Sequence, residues 1–258
     1  MLFHGPRPLT STLLALVVAS VRTAAAIGAV SLYVLIVGPP AIAVAILFRW
    51  PVILYRLGVI AARMGFLLAG VRTVGEGTEH VVPGRAVVYC VNHASNLEPP
   101  VIMPFLTPLF PHLIALYKKE MRKIPVLGKV WEVGGFIPID RSDRAQSDAA
   151  IALAVERLRS GYSFLVFPEG TRSRDGSLQP FKKGAFILAI QAQAPVVPVA
   201  IIGTGQAMRR GSRLIWPATI RVRFGAPVPT AGLTYDDRDR LTAEVRDRIG
   251  TMLQGGEA

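Results

Sequence analysis

Two patterns of hydrophobic and polar positions divide the chain near residue 70. Before Glu76 the only formal charges are six arginines, Arg7, Arg22, Arg49, Arg56, Arg63 and Arg72, set in otherwise apolar sequence. Residues 23–48 are 26 uncharged positions. As one helix they would reach about 39 Å, enough to cross a hydrocarbon core of about 30 Å. Gly38-Pro39-Pro40 falls inside this run, and consecutive prolines predict a break or a strong kink there. A kinked span and a re-entrant hairpin in one leaflet both fit. Arg49, Arg56 and Arg63 then recur every seven residues, one stripe on a helix otherwise filled by residues such as Leu54, Val59, Ile60, Phe66 and Leu67. A cationic stripe on an apolar helix suits the headgroup level of a membrane, although a core helix with a solvated Arg edge has the same pattern. Residues 8–26 also have the outline of a cleavable signal peptide. A second, longer apolar run follows at once and only Arg7 precedes it, which favours an uncleaved segment.

From Val71 onward short apolar runs recur at 85–90, 112–117, 135–139, 163–167, 196–202 and 219–224, the lengths and composition of buried strands. Helical patterns fall between several of them. Residues 143–159 carry Asp143 and Gln146 as a capping box, the stripe Ile151, Val155 and Leu158, and Gly161 at the end. In 235–253, Leu241, Val245, Ile249 and Met252 share one face, while Asp236/Arg240 and Glu244/Arg248 are spaced as i,i+4 pairs. Alternating strands and helices predict an α/β domain: a mostly parallel sheet covered by helices, over residues 71–258, preceded by an apolar membrane-associating helical segment over 1–70. Ligands of such sheets bind beyond the carboxyl ends of the strands.

Charge narrows the partners. A net charge of +12 at pH 7 calls for an anionic one. The chain has no nucleic-acid motif and no basic helix interleaved with aromatics, so a membrane surface or a phosphate-bearing substrate fits better than nucleic acid. The single cysteine, Cys90, excludes an internal disulfide and sits in an apolar run, where it reads as core. There is no Cys/His cluster of the kind that holds zinc.

Two stretches concentrate chemistry. In Val91-Asn92-His93-Ala94-Ser95-Asn96-Leu97-Glu98-Pro99-Pro100 a strand delivers His93 to a turn, and the prolines open a helix at Glu98. A histidine and a carboxylate five apart do not share a face of one helix, but they can meet across a turn. There the carboxylate would fix the imidazole tautomer and stabilise the imidazolium. A loop histidine beside a helix-start Glu is the alternative. The second stretch is Phe167-Pro168-Glu169-Gly170-Thr171-Arg172-Ser173-Arg174. A turn at Gly170 lets backbone approach a ligand closely, and exposed N–H groups with Thr171 and Arg172 could hold a phosphate monoester.

Together these motifs resemble the glycerolipid acyltransferase family, among whose members are the 1-acylglycerol-3-phosphate acyltransferases; Gly135 to Arg141 and Ala194 to Val199 resemble two further family blocks. The resemblance covers about residues 71–229 and departs from the pattern at Glu98, where the family usually has Asp. It implies that His93 acts as general base with Glu98 behind it. It further implies that Arg141 contacts phosphate, as Gly170, Thr171 and Arg172 could from their own chemistry, that Glu169 lines the glycerol site, and that Lys183 is a secondary contact for phosphate or acyl donor. The basic block Lys118 to Lys123 is read as facing headgroups or the phosphates of the acyl carrier. No cofactor is implied, only acyl-CoA or acyl-carrier protein as co-substrate. The product would be phosphatidic acid, made in the inner membrane with the catalytic domain on the cytoplasmic side. Other acceptors, such as another lyso-lipid (lyso-ornithine lipid, a lysophospholipid) or glycerol 3-phosphate, remain open. So does a non-catalytic lipid-binding protein, for which Glu98 is the only hint.

Overall fold

The computed structural model describes residues 9–139, 144–173 and 176–255. The apolar N-terminus forms a helical hairpin, α1 (Leu9–Leu47) and α2 (Val52–Ala69). The break expected at Gly38-Pro39-Pro40 does not occur, since α1 runs through both prolines. Their missing N–H groups remove two rungs, and Ala41 and Ala45 just beyond pack on Leu54. The reversal lies instead at residues 48–51, where Arg49 adopts a left-handed φ of 49°. Both helices are long and apolar enough to cross a membrane. Leu14, Ile36 and Leu47 are 66%, 63% and 76% exposed, so α1 is not the covered core helix of a soluble domain. On α2 the exposed face alternates Arg56, Ile60, Arg63 and Leu67, a mixture of cation and hydrocarbon suited to a membrane interface. The hairpin is a membrane-associating element.

The remaining chain builds a seven-stranded sheet: β1 (Val71–Glu76), β2 (Val88–Val91), β3 (Leu113–Lys118), β4 (Ile137–Ile139), β5 (Ser163–Val166), β6 (Val196–Ile202) and β7 (Ala218–Phe224). Their order is β1-β7-β6-β2-β5-β3-β4, with every neighbouring pair parallel but β6 and β7. This is the α/β architecture expected, with one strand more than the apolar runs suggested. β1 (Val-Arg-Thr-Val-Gly-Glu) is a half-exposed edge strand and carries no continuous apolar run.

Alternation along β2 shows how the two faces are filled. Tyr89 and Val91 point into a cluster with Val197, Val199, Leu97, Ile102 and the hairpin residues Ala26, Phe66 and Ala69. Val88 and Cys90 point into the other cluster, with Phe164, Ala200 and residues of α5 (Arg144–Arg159), α6 (Gly184–Ala192) and α8 (Arg238–Gln254). A strand buried on both faces reads as an unbroken apolar run, which is why β2, β5 and β6 were legible. The stripes expected on the last two long helices are seen, with Val155 and Leu158 on α5 and Leu241, Val245 and Ile249 on α8 buried. Of the two ion pairs expected on α8, Glu244 and Arg248 meet at 2.7 Å. Arg240 instead takes Asp237, because residues 235–237 form a tighter turn that precedes the helix. Three short helices complete the fold: α3 (Glu98–Ile102), α4 (Leu127–Val133) and α7 (Thr204–Ala207). Arg141, Arg174 and the helix cap expected at Asp143 lie outside the described residues.

Candidate active site

The parallel strands β2, β5, β6 and β3 deliver their carboxyl ends to one edge of the sheet. β2 stops pairing after Val91, and the Asn92 side chain takes over the ladder. Its Nδ2 donates to the Ile201 carbonyl at 3.0 Å and its Oδ1 accepts the Ile201 N–H at 2.7 Å. The chain is thereby fixed in direction as it leaves the sheet, and His93 comes next.

The segment after β5 grips His93 from one side. The His93 N–H donates to Glu169 Oε1 at 2.5 Å, and the His93 carbonyl accepts the Ser173 N–H at 2.7 Å. The imidazole lies over the Phe167 ring, with centroids 4.6 Å apart. Both backbone groups and one ring face of His93 are therefore set by residues 167–173.

Glu98 grips it from the other. It is the first residue of α3, fully buried, and its carboxylate folds back over the turn. Oε2 lies 2.6 Å from His93 Nδ1. Oε1 accepts the Ala94 N–H at 2.8 Å, the Ser95 N–H at 3.0 Å and the Thr204 hydroxyl at 2.8 Å. Four partners make a buried carboxylate tolerable, since hydrogen bonds to an anion are the stronger kind. A carboxylate only accepts, so Nδ1 carries the imidazole proton and Nε2 presents its lone pair. Among the described residues Nε2 has no hydrogen-bond partner. The added methylene of Glu is used in full: it lets one carboxylate span the turn and the ring together.

Glu169 is a strut rather than a free acid. Besides the His93 N–H it accepts the Gln179 N–H at 3.0 Å, so one side chain ties the β2 turn to the β5 loop. Burial raises its pKa, opposed by those two N–H groups, and the Glu98 charge adds to the rise. A raised native pKa means that folding takes up a proton. Its stabilising contribution is therefore complete in acid and declines as pH rises past the ordinary carboxylate range. Glu169→Gln should lower unfolding stability by about 1–3 kcal/mol, because the amide turns a donor toward one of the two N–H groups. The loss should be larger at pH 5 than at pH 8. Thermal melts at the two pH values check both statements.

Residues 72–202 match the sequence profile of the Acyltransferase family, described by that name, and cover both motifs. The chain belongs to the acyltransferase family. It is 34% identical over 207 residues to a 1-acyl-sn-glycerol-3-phosphate acyltransferase of Limnanthes douglasii, covering 78% of this chain and 72% of that one. It is 32% identical over 188 residues to the human 1-acyl-sn-glycerol-3-phosphate acyltransferase alpha, covering 72% of this chain and 65% of that one. The crystal structure of the 1-acyl-sn-glycerophosphate (LPA) acyltransferase PlsC from Thermotoga maritima shares the fold, with a TM-score of 0.71 at 24% identity, over 89% of this chain and 96% of that one.

In this acyltransferase the remaining candidates fall as follows. Gly170 has φ of +70°, which favours glycine, and the end of the Lys182 side chain lies against it. Thr171 is exposed and Arg172 half-buried. Among the described residues Arg172 has no carboxylate partner, while its carbonyl accepts from the Arg210 guanidinium at 2.6 Å. Lys183 does not join them. Its Nζ pairs with Asp239 of α8 at 2.7 Å. Residues 182 and 183 both precede α6, and it is the neighbour Lys182 whose side chain lies against Gly170. Lys118 to Lys123 end β3 and turn at the same edge of the sheet. Three participants escaped the sequence: Thr204, Arg210, and Asn92 in its role as a ladder substitute. A Gly-Thr pair directly after an apolar strand was the available signal for Thr204.

Proposed function

We propose that this acyltransferase transfers a fatty acyl group from an acyl thioester to the free hydroxyl of 1-acylglycerol 3-phosphate, giving phosphatidic acid. The observation that carries the reading is the His93–Glu98 pair at 2.6 Å, with Nε2 directed away from the carboxylate at the strand edge. Nε2 takes the hydroxyl proton as the oxygen attacks the thioester carbonyl; the C–O bond forms and the C–S bond breaks. The imidazolium then returns its proton to the leaving thiolate. An enzyme nucleophile has no part in this scheme. Cys90 is fully buried in the core, where burial pushes its thiol well above the usual range. The Ser95 hydroxyl is occupied in donating to the Met208 carbonyl at 2.9 Å. Glu98, the hint of a non-catalytic protein, instead completes the pair.

The acyl donor is acyl-CoA or acyl-carrier protein. Arg172, and Arg141 as the resemblance implies, bind the acceptor phosphate. The hairpin holds the enzyme at the inner membrane with the sheet on the cytoplasmic side, a reading supported by the apolar helices and by the resemblance. Labelled acyl transfer by washed membranes to a panel of lysophosphatidate, neutral and zwitterionic lyso-lipids and glycerol 3-phosphate tests the assignment. Preference for an acceptor without a phosphate monoester would overturn it.

Arg172→Ala should raise KM for lysophosphatidate by roughly 10–100-fold, the loss of a charge-assisted contact, with acyl-donor KM changed less than twofold. Steady-state kinetics with each substrate varied in turn gives both numbers. Unchanged acceptor kinetics would move the phosphate to Arg141.

A further inference from the structure

The N-terminal helix does more than attach to a membrane. Thr23 is a buried polar residue in the middle of α1. Its hydroxyl donates within the helix to the Ala19 carbonyl at 2.7 Å and contacts the Ile215 carbonyl at 3.2 Å. The same oxygen accepts the Ile215 N–H at 2.9 Å. One side chain of α1 thus pins a stretch of irregular backbone almost two hundred residues away.

That stretch leads directly to the catalytic pair. The next residue, Trp216, donates its N–H to the Ala207 carbonyl at 2.7 Å, at the end of α7. One turn back, the Thr204 carbonyl accepts the Met208 N–H at 2.8 Å. The Thr204 hydroxyl then reaches Glu98 Oε1 at 2.8 Å. A parallel tie runs from Ser95, in the turn between His93 and Glu98, to the Met208 carbonyl. Every link is a hydrogen bond between named atoms or a single helical turn.

We propose that Thr204 is a positioning residue for Glu98, and that Thr23 of α1 holds Thr204 in place through the 207–216 segment, so that the membrane hairpin is a structural part of the active site. Of the three donors on Oε1, two are backbone groups of the turn itself; Thr204 is the one supplied from outside it. Among the described residues it is the hydrogen bond that ties Oε1 to a part of the fold beyond the turn. Without it the anion has one partner fewer, and the protonated His93–Glu98 pair, in which the imidazolium neutralises the carboxylate, is favoured over the form with a free Nε2. The acid limb of the pH–rate profile then moves to higher pH. Among the described residues the other ionisable group coupled to the pair is Glu169; α7 carries none, and α3 none beyond Glu98.

The inference rests on the general-base reading of His93, and the test separates the two. In the full-length protein in membranes, Thr204→Val should lower kcat about 10–100-fold and shift the acid limb upward, while Thr204→Ser restores both. Thr23→Val should lower kcat about 3–10-fold with the same direction of shift, full membrane retention and an acceptor KM within twofold; Thr23→Ser should behave as the parent. The double valine variant should be no slower than Thr204→Val alone, because both changes act through one contact. A Thr204→Val profile identical to the parent overturns the role of Thr204. A Thr23→Val enzyme with parental kcat and pH profile, or strictly additive losses in the double variant, overturns the coupling to α1. If His93→Ala is itself active, the general-base reading fails first, whatever the threonine variants do.

Discussion

Replacing His93 by alanine is expected to lower acyl transfer by roughly 10²–10⁴-fold, the usual worth of a positioned general base. The expectation rests on how closely the ring and its backbone are held. The ring lies tilted against Phe167, its Nδ1 is committed to Glu98, and the peptide on either side of its Cα is clamped by residues 169 and 173. Alanine keeps the clamps, which are backbone, and removes only the imidazole. Glu98 retains three donors on Oε1, so the fold should persist with a moderate fall in melting temperature. His4, His80 and His112 lie in neither motif and should not substitute. Turnover and carbonate-resistant membrane retention, measured on the same preparation, decide the matter: near-parental turnover would remove the general base from His93.

The companion change, Glu98→Gln, should be nearly as severe, at about 10³-fold or more. Gln is the same length and can satisfy the Ala94, Ser95 and Thr204 donors with its carbonyl oxygen. Its amide nitrogen must then face His93 Nδ1, and two donors cannot share that 2.6 Å gap. The imidazole responds by placing its proton on Nε2, the tautomer that cannot accept one from the substrate; a comparable tautomer reversal costs a serine-protease triad on the order of 10⁴-fold. Glu98→Asp keeps the charge but shortens the reach by about 1.5 Å. It cannot hold both the turn and the ring, so activity should fall by an intermediate amount. The order parent, Asp, Gln is the diagnostic, read by kcat at saturating acceptor. A Gln enzyme as fast as the parent would leave Glu98 as nothing more than the first residue of α3.

Much of this is legible in the sequence, for reasons that differ by residue. β2, β5 and β6 are covered on both faces, and such strands announce themselves as apolar runs. His93, Glu98 and Glu169 sit in contiguous motifs whose turns the prolines and Gly170 give away. What escaped depends on tertiary neighbours. β1 is half-exposed and broken by Gly75, so its strand character comes from pairing with β7. Pro39 and Pro40 argue locally for a break, yet α1 runs through them, with Ala41 and Ala45 packed on Leu54. Lys182 and Lys183 are indistinguishable as letters, and only the start of α6 decides which one faces Gly170. Thr204 is 106 residues from Glu98, and no local periodicity joins them.

The pairing of β1 bears on how the enzyme is made. β1 follows the hairpin directly, and its one strand neighbour is β7, with Val71 opposite Ala218. During synthesis the hairpin and β1 leave the ribosome with most of the catalytic sequence still untranslated, and β1 has nothing to pair with until β7 emerges. Apolar helices that wait that long in water invite aggregation, whereas helices already lodged in a bilayer do not. The strand order thus makes closure of the sheet at β1 wait for β7, long after the apolar hairpin has been made.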